Sequence, residues 1–374
     1  MPWDRILYAA ERNTQSMKNY KVLAMNFGST STKVAVYEGD ERTLSKTVQH
    51  NAGDMDGVVT MEQNAAFRKP FIIEALREEG IEMTEFDAII GRGGLVRPIP
   101  GGTYLVNEQM VKDLSECTYG KHASNLGGIL AYELANSIGK PAYIVDPVVV
   151  DEMQDVARLS GHPDYPRRPI FHALNQKAVA KRYAAEKGVP YDSLNVIVCH
   201  MGGGVSVGAH EKGRIIDVNN GLEGDGPYST ERSGGLTVFD VLRLANSGKY
   251  GKTFDELRQH LNFDCGLKGY TGTNSGIEIS ERVKNGDKQA ELAYRGFAYQ
   301  VGKEIGAASA VLKGKVDTII LTGGFAFDKE LMSWISEYVS FIAPVTVYPG
   351  EDEMQALAQG GIRVLKGEEE AKVY

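Results

Sequence analysis

Two periods of apolar residues alternate along this chain. Short continuous runs, such as Val22-Leu23-Ala24-Met25 and Val34-Ala35-Val36-Tyr37, read as buried strands. Further strands are expected at 140–146, 213–218 and 344–348. Between them, apolar residues fall at helical spacing over 62–80, 124–139, 175–188, 237–246, 287–312, 328–341 and 351–366, and several of these segments end in glycine. Strands alternating with helices imply mostly parallel sheets covered by helices. The stretch 151–169 holds three prolines and reads as an irregular connection. Gly251-Lys252-Thr253 has the ending of a P-loop, but Asn246 stands where the first glycine is required. Thr253 and Glu256 instead have the spacing of a capping box for a helix over 254–261.

The pattern repeats. Residues 22–38 give strand, glycine turn and strand, followed by the charged turn Gly39-Asp40, and residues 196–211 give the same order around Gly202-Gly203-Gly204, followed by Lys212-Gly213. A second pair follows each: Phe86-Asp-Ala-Ile-Ile-Gly-Arg-Gly-Gly is matched by Val316-Asp-Thr-Ile-Ile-Leu-Thr-Gly-Gly. The order A, B, A′, B′ predicts a duplicated fold whose two halves leave a cleft between them. The first turn, Asn26-Phe-Gly-Ser-Thr-Ser-Thr-Lys33, has the glycine, hydroxyls and cation that suit nucleotide phosphates. Neither Gly202–Gly204 nor Gly91–Gly94 completes the GxGxxG pattern, because Val207 and Val96 occupy the last position, which disfavours a Rossmann site.

Composition narrows the choices. The 374 residues suffice for about two domains, and 42% apolar with 24% charged residues is ordinary for a globular protein. A net charge of −8 argues against a nucleic-acid surface. Three widely spaced cysteines, Cys117, Cys199 and Cys265, with no CxxC pair, disfavour a disulfide framework or a zinc site and suit a reducing, cytoplasmic compartment. No signal peptide or membrane-spanning run is expected. Residues 1–16 stand apart from the pattern that follows Met17 and read as an upstream extension.

With these motifs in hand, the chain resembles the acetate and butyrate kinases, members of the actin-like, sugar-kinase-like ATPase superfamily. The resemblance runs from about Lys21 to the last helix. It is carried by residues 26–33, Gly-Arg-Gly-Gly-Leu-Val-Arg-Pro-Ile-Pro-Gly-Gly (91–102) and His-Ala-Ser-Asn-Leu-Gly-Gly (122–128). Ile-Val-Asp-Pro-Val (144–148), Phe-His-Ala-Leu-Asn-Gln-Lys (171–177) and Cys-His-Met-Gly-Gly-Gly (199–204) extend it, with Tyr-Ser-Thr-Glu-Arg-Ser-Gly-Gly (228–235) and Leu-Thr-Gly-Gly (321–324). The fold it implies is α/β: a duplicated actin-like ATPase (ribonuclease H-like) fold with two lobes around an active-site cleft. The expected lobes are 1–150, completed by a helix within 354–374, and 151–353.

The activity implied is reversible phosphorylation of a short-chain carboxylate by ATP, with Mg²⁺, giving ADP and an acyl phosphate. The resemblance casts Arg92 as the grip on the carboxylate, with Gly94 and His122 beside it. Arg232 and His172 would meet the transferring phosphoryl group. Asp146 would serve Mg²⁺-bound water or orient an arginine. Glu353 and Asn26 would attend the metal, with Asp352 able to share the task. Asn26, Ser29, Lys33, His200 and Gly202, Gly203, Gly204 would line the phosphates, and Gly323, Gly324 and Phe325 the adenosine. Asp151 and Glu152 are expected to be structural.

The acetate kinases usually carry a bulky branched residue where Gly94 stands, a histidine in the first motif that is missing here, and Asn in place of Gly203. A wider acyl pocket is therefore expected, suited to butyrate or isobutyrate. The nucleophile is already ionised, so positioning and charge neutralisation would suffice without a general base. Acetate or propionate kinases remain the neighbouring activities. A sugar kinase would need a base for a hydroxyl proton, and a nucleotide-switched module of the actin kind would carry a partner-binding insertion. A homodimer or larger homo-oligomer is implied, with the long helix 287–312 available to an interface.

Overall fold

The computed structural model describes residues 19–51 and 58–374, so the expected extension, 1–16, lies outside it. The chain forms two compact units, residues 1–150 with 352–374 and residues 151–351. The first contains β1 (Lys21–Phe27), β2 (Ser31–Glu38), β3 (Glu41–Gln49), α1 (Met61–Arg77), β4 (Ala88–Arg92), β5 (Thr103–Leu105), α2 (Glu108–Ser115), α3 (Asn125–Ser137) and β6 (Ala142–Val145). The second contains α4 (Ala173–Lys187), β7 (Asn195–Met201), β8 (Val205–Glu211), β9 (Arg214–Val218), α5 (Val238–Ser247), α6 (Phe254–Phe263), α7 (Gly266–Thr271), α8 (Gly276–Lys284), α9 (Lys288–Val311), β10 (Thr318–Gly323), α10 (Lys329–Val339) and β11 (Val345–Pro349). The chain then re-enters the first unit as α11 (Glu353–Leu365) and β12 (Lys372–Val373).

The repeat read in the sequence is a repeat of topology. The first sheet runs β12-β5-β6-β4-β1-β2-β3 and the second β11-β10-β7-β8-β9. In each, the glycine-turn hairpin is antiparallel, and the strand ending in Gly-Gly, or in Gly-Arg-Gly-Gly, lies parallel to the hairpin's first strand. A third parallel strand, β6 or β11, then follows. The series β6-β4-β1-β2-β3 and β11-β10-β7-β8-β9 therefore match strand for strand. Parallel strands buried on both faces need continuous apolar runs, and β1, β4, β7 and β10 have them.

Helices supply the covering layers. In the first unit Leu23, Met25, Ile89, Leu126 and Leu130 share one core. In the second, Phe297 and Val301 of α9 pack with Ile197, Val207 and Leu321, and Val196, Val198 and Ile320 pack with Val179 and Ala180 of α4 on the other face. Each Val, Leu, Ile, Phe or Met side chain among them, fully buried, contributes roughly 1.5–3 kcal/mol. Ion pairs tie down the connection after residue 150: Arg158 grips Asp151 at 2.6 Å, and the buried Lys177 meets Glu152 at 3.0 Å. The capping box expected at Thr253 is present, with Glu256 N donating to Thr253 Oγ1 at the start of α6.

One approach sets the end of β4. A Cβ on Gly91 would overlap the Gly127 carbonyl, and one on Gly127 would overlap the Arg92 carbonyl. The first turn of α3 thus lies directly on the strand that ends in Arg92, a contact that only glycine permits. Replacing Gly127 with Ala should lower stability by roughly 1–3 kcal/mol or more in urea unfolding, by levering α3 from β4; an unchanged midpoint would show that the contact can relax.

Candidate active site

In the first unit the parallel strands β6, β4 and β1 end on one edge of the sheet, and each carries a predicted polar residue there: Asp146, Arg92 and Asn26. Glu353, the first residue of α11, joins two of them. Its Oε2 accepts from Asn26 Nδ2 at 2.6 Å and from Arg92 Nη1 at 3.2 Å, and its Oε1 lies 3.0 Å from Arg92 Nη2. The Arg92 contact is a two-pronged fork, and the helix N-terminus adds a favourable dipole for the carboxylate. Asp352 is used otherwise: its Oδ1 accepts from Gln355 N as the helix cap, and it pairs with Arg42 at 3.2 Å. Asp146 adopts a left-handed backbone conformation (φ 39°), and its Oδ1 accepts from Gly102 N at 2.7 Å. It makes no ion pair with Arg92; its visible work is to clamp the 101–103 turn. His122 takes hydrogen bonds at Nδ1 from the Ser124 hydroxyl (2.8 Å) and backbone N–H (3.2 Å). Partial burial, and then the Arg92 charge, hold its pKa below the usual imidazole value.

Gly94 requires a correction. A Cβ there would lie 2.5 Å from Asn125 Cα and 2.8 Å from Asn125 N. The space a side chain would fill is taken by the N-terminus of α3. Its lack of a side chain reflects packing, and the wider acyl pocket expected from Gly94 does not follow.

Lys33 is exposed and sits opposite Asn26 in the β1–β2 ladder, so both project from the same face. Ser29 is exposed, and its carbonyl is held from behind by a residue the sequence did not reveal. Arg68 on α1 is fully buried, donating from Nη2 to Ser29 O (2.8 Å), from Nη1 to Ser31 O (2.7 Å), and from Nε to Asn64 Oδ1 (2.8 Å). Burial lowers its pKa. By binding the carbonyls of the 28–31 turn it fixes the orientation of those peptide groups.

In the second unit the predicted residues converge on the β7–β8 turn. His200, near the end of β7, is buried, with Nδ1 2.9 Å from Asn175 Oδ1, and His172, at the start of α4, stacks on it with ring centroids 3.8 Å apart. Gly202–Gly204 form the turn itself. Arg232 crosses directly over Gly204, where any Cβ would strike its guanidinium, and donates from Nη1 to Gly221 O at 2.6 Å. Burial pulls the Arg232 pKa down and the Glu231 charge opposes this; a guanidinium nonetheless stays protonated. A cavity of about 760 Å³ opens beside the turn, lined by Gly202, Gly203, Gly324, Phe325, Thr230 and the Ile277–Lys284 face of α8. Around Gly203 and Gly324 an added Cβ would meet nothing within 4 Å. Gly323 is outside the cavity lining; with φ 90°, it packs against the Met201 backbone.

Burial pushes the His200 pKa down to about 4. Glu351 stands 3.5 Å from its Nε2, but that carboxylate is 46% exposed and screened by water. The ring is therefore neutral at pH 7. Among the described residues no three His, Cys, Asp or Glu side chains gather to hold a metal, and no helix is long and apolar enough to cross a membrane.

A model of the Acetokinase family matches residues 165–333. Butyrate kinase 2 of Clostridium acetobutylicum is 54% identical over 355 residues, 95% of this chain and 99% of that protein. Butyrate kinase 1 of the same organism is 51% identical with the same coverage. Among solved structures, the acetate kinase of Porphyromonas gingivalis superposes with a TM-score of 0.72 at 20% identity, over 92% of this chain and 100% of that one, which supports the fold.

The buried, neutral His200 predicts an acid limit. Its folded pKa of about 4 lies below its ordinary 6.5, so the unfolded chain takes up a proton first as pH falls. Stability is fully present above 6.5 and declines to about pH 4, by ~3 kcal/mol from this residue at ~1.4 kcal/mol per unit. In urea titrations at several pH values, His200→Gln should flatten that decline; an identical slope would assign the acid sensitivity elsewhere.

Proposed function

Because the chain belongs to the acetokinase family, we propose that it is a butyrate kinase, transferring the γ-phosphoryl group of ATP reversibly to butyrate or a branched short-chain acid such as isobutyrate. The observation that carries this reading is the 54% identity to a butyrate kinase over nearly the full length of both proteins.

In this reading Arg92 grips the carboxylate. The Glu353 fork occupies two of the five guanidinium N–H groups and leaves others for a second carboxylate. ATP lies along Gly202–Gly204, with its adenosine in the cavity beside Gly324 and Phe325 and the face of α8. That cavity is large enough for a nucleoside, and glycine backbone at Gly203 and Gly324 lets phosphates approach closely. Arg232 and the Nε2 side of His172 supply positive charge and a hydrogen bond to the transferring phosphoryl group. The glycine turn at 28–31, with Ser29 and Lys33, offers further N–H, hydroxyl and ammonium donors. Residues for Mg²⁺ are sparse but fit it: Glu353, with Asn26 beside it, presents one carboxylate at a helix start, and Mg²⁺ takes one or two carboxylates with phosphates and water. When bound, the ion neutralises the phosphate oxygens. The carboxylate oxygen attacks phosphorus in line, and no base is needed because the acid is already ionised.

We further place the protein in the cytoplasm, which suits its three free thiols, and assign it a homo-oligomeric state. Helices α5 and α6 bury none of their residues, and Val238 (73%), Phe239 (71%) and Phe254 (79%) are exposed there. Both helices also carry paired charges of both signs (Arg243 with Asp240, Arg258 with Asp255), so neither adds a block of one sign that would repel a second copy of the chain. The double substitution Phe239→Asp with Phe254→Asp should reduce the mass measured by light scattering to that of one chain; an unchanged mass would remove this face from the interface.

The activity is tested with ATP, Mg²⁺ and hydroxylamine, which traps acyl phosphates, across acids of two to five carbons. Butyrate or isobutyrate should react fastest, and faster turnover with acetate would overturn the substrate assignment. Arg232→Ala should lower kcat by ~10³-fold or more with little change in the KM for ATP. Equal losses in both would make Arg232 a binding residue.

A further inference from the structure

The face of β8 turned toward α4 is polar, although it is buried. Ser206, Gly208 and His210 alternate along it, whereas Val205, Val207 and Ala209 point into the core under α9. Ser206, His210 and Gln176 of α4 are all fully inaccessible. Gln176 Nε2 donates to Ser206 O (3.1 Å) and to Ser206 Oγ (2.9 Å). His210 Nε2 lies 3.1 Å from Gln176 Oε1, and its Nδ1 lies 2.7 Å from Tyr191 OH. Ser206 Oγ lies 2.9 Å from His172 Nδ1. Five side chains thus form one continuous chain from Tyr191 to His172.

The direction of every hydrogen bond in it can be deduced. The Ser206 carbonyl can only accept, so the Gln176 amide must turn its Nε2 toward it and its Oε1 toward His210. His210 must therefore donate from Nε2, and its Nδ1 must accept from the Tyr191 hydroxyl. Ser206 Oγ accepts from Gln176 Nε2 (2.9 Å) and from the His172 backbone N–H (3.5 Å), which engages both of its lone pairs; its buried O–H then requires an acceptor, and the His172 Nδ1 lone pair is in place. The reverse orientation would set the Gln176 carbonyl against the Ser206 carbonyl and is excluded.

We propose that Gln176, Ser206, His210 and Tyr191 are positioning residues that hold His172 in its Nε2–H tautomer, so that the neutral ring presents a hydrogen-bond donor to the transferring phosphoryl group. The donor role of His172 rests on the activity proposed above; the tautomer does not. A second feature of the chain agrees. Gly208 interrupts the interior of a buried strand, where glycine is unfavourable, and a Cβ there would strike Gln176 Oε1 and lie 3.2 Å from His210 Nε2. The strand gives up a side chain where the amide must sit.

The test uses the full chain labelled with ¹⁵N-histidine, with His172 assigned by the signal lost in His172→Gln. Two-bond ¹H–¹⁵N correlation at pH 7.5 should show His172 protonated at Nε2 and bare at Nδ1; the opposite pattern overturns the proposal. Gln176→Leu should shift His172 toward the Nδ1–H form or a mixture. It should also lower kcat roughly 10–100-fold, the range for partners that orient a functional histidine, with the KM for ATP changed less than about twofold. Gly208→Ala provides a milder variant, because it displaces only the flexible end of Gln176 and leaves every polar group in the chain; it should move the same resonance in the same direction. A His172 pattern unchanged in both variants overturns the relay. Absence of butyrate kinase activity alongside the expected wild-type tautomer would remove the activity reading and leave the positioning intact.

Discussion

How closely main chain may approach main chain at the carboxyl ends of parallel strands governs both candidate sites. At the end of β4, Gly91 and Gly127 let α3 rest on the strand, which fixes the backbone from which Arg92 extends. At the end of β7, Gly204 lets Arg232 cross the turn, and Gly323 lets the end of β10 touch the Met201 backbone. A methyl group at any of these positions would displace backbone or the guanidinium itself, and interiors have little slack for that. Open α/β sheets bind ligands at these strand ends because the backbone there runs out of hydrogen-bond partners and the side chains converge. Here the convergence requires glycine neighbours as much as it requires the arginines.

The two arginines are held by different means. Arg92 faces a carboxylate and is neutralised by Glu353. Arg232 is held through a carbonyl, Gly221 O, while Gly204 lies beneath it, and the charge of Glu231 acts on it from a distance. A guanidinium fixed by a carbonyl keeps its full charge for an anionic ligand; one forked to a carboxylate has already spent part of its field. This division suits a reaction in which one arginine meets a singly charged acid and the other a phosphoryl group that carries more charge. It also bears on Glu353. The same carboxylate that would attend a divalent cation is satisfied by Asn26 and Arg92, so those partners bias its geometry beforehand.

The chain discloses its hairpins and parallel strands plainly, because β-branched runs before glycine leave few other structures. It discloses β3 poorly: Glu41–Gln49 is charged and largely exposed, and pairs only at an edge. Strands of two or three residues, β12 and β5, carry no period at all, and α2, α7 and α8 span fewer than three turns each. Within the sites, residue types in glycine-rich motifs were legible. Directions were not. Gly94 invites a reading as open space, yet its missing side chain is replaced by Asn125 from another element. Arg68 is invisible for the converse reason: backbone carbonyls, here those of Ser29 and Ser31, bind a cation without any motif in side-chain spacing, and Asn64 four residues earlier on the same helix face is an ordinary pairing.

The polar alternation of β8 was present in the sequence throughout, as Val-Ser-Val-Gly-Ala-His. Taken alone it describes a half-exposed strand of an antiparallel hairpin. Only the covering helix changes its meaning, since α4 buries Ser206 and His210 and must then satisfy them. Gln176 does this, because its amide donates at one end, to Ser206, and accepts at the other, from His210, without a charge. A carboxylate at 176 would face the Ser206 carbonyl, and a lysine would leave His210 without an acceptor. The burial that keeps His210 uncharged, its pKa held well below the usual value, also removes water that could reorient the chain of bonds. Fully satisfied, such a network rigidifies the packing around it. Its effect is directional: it selects one of two tautomers for a ring at the edge of the site, using groups that never reach the site themselves.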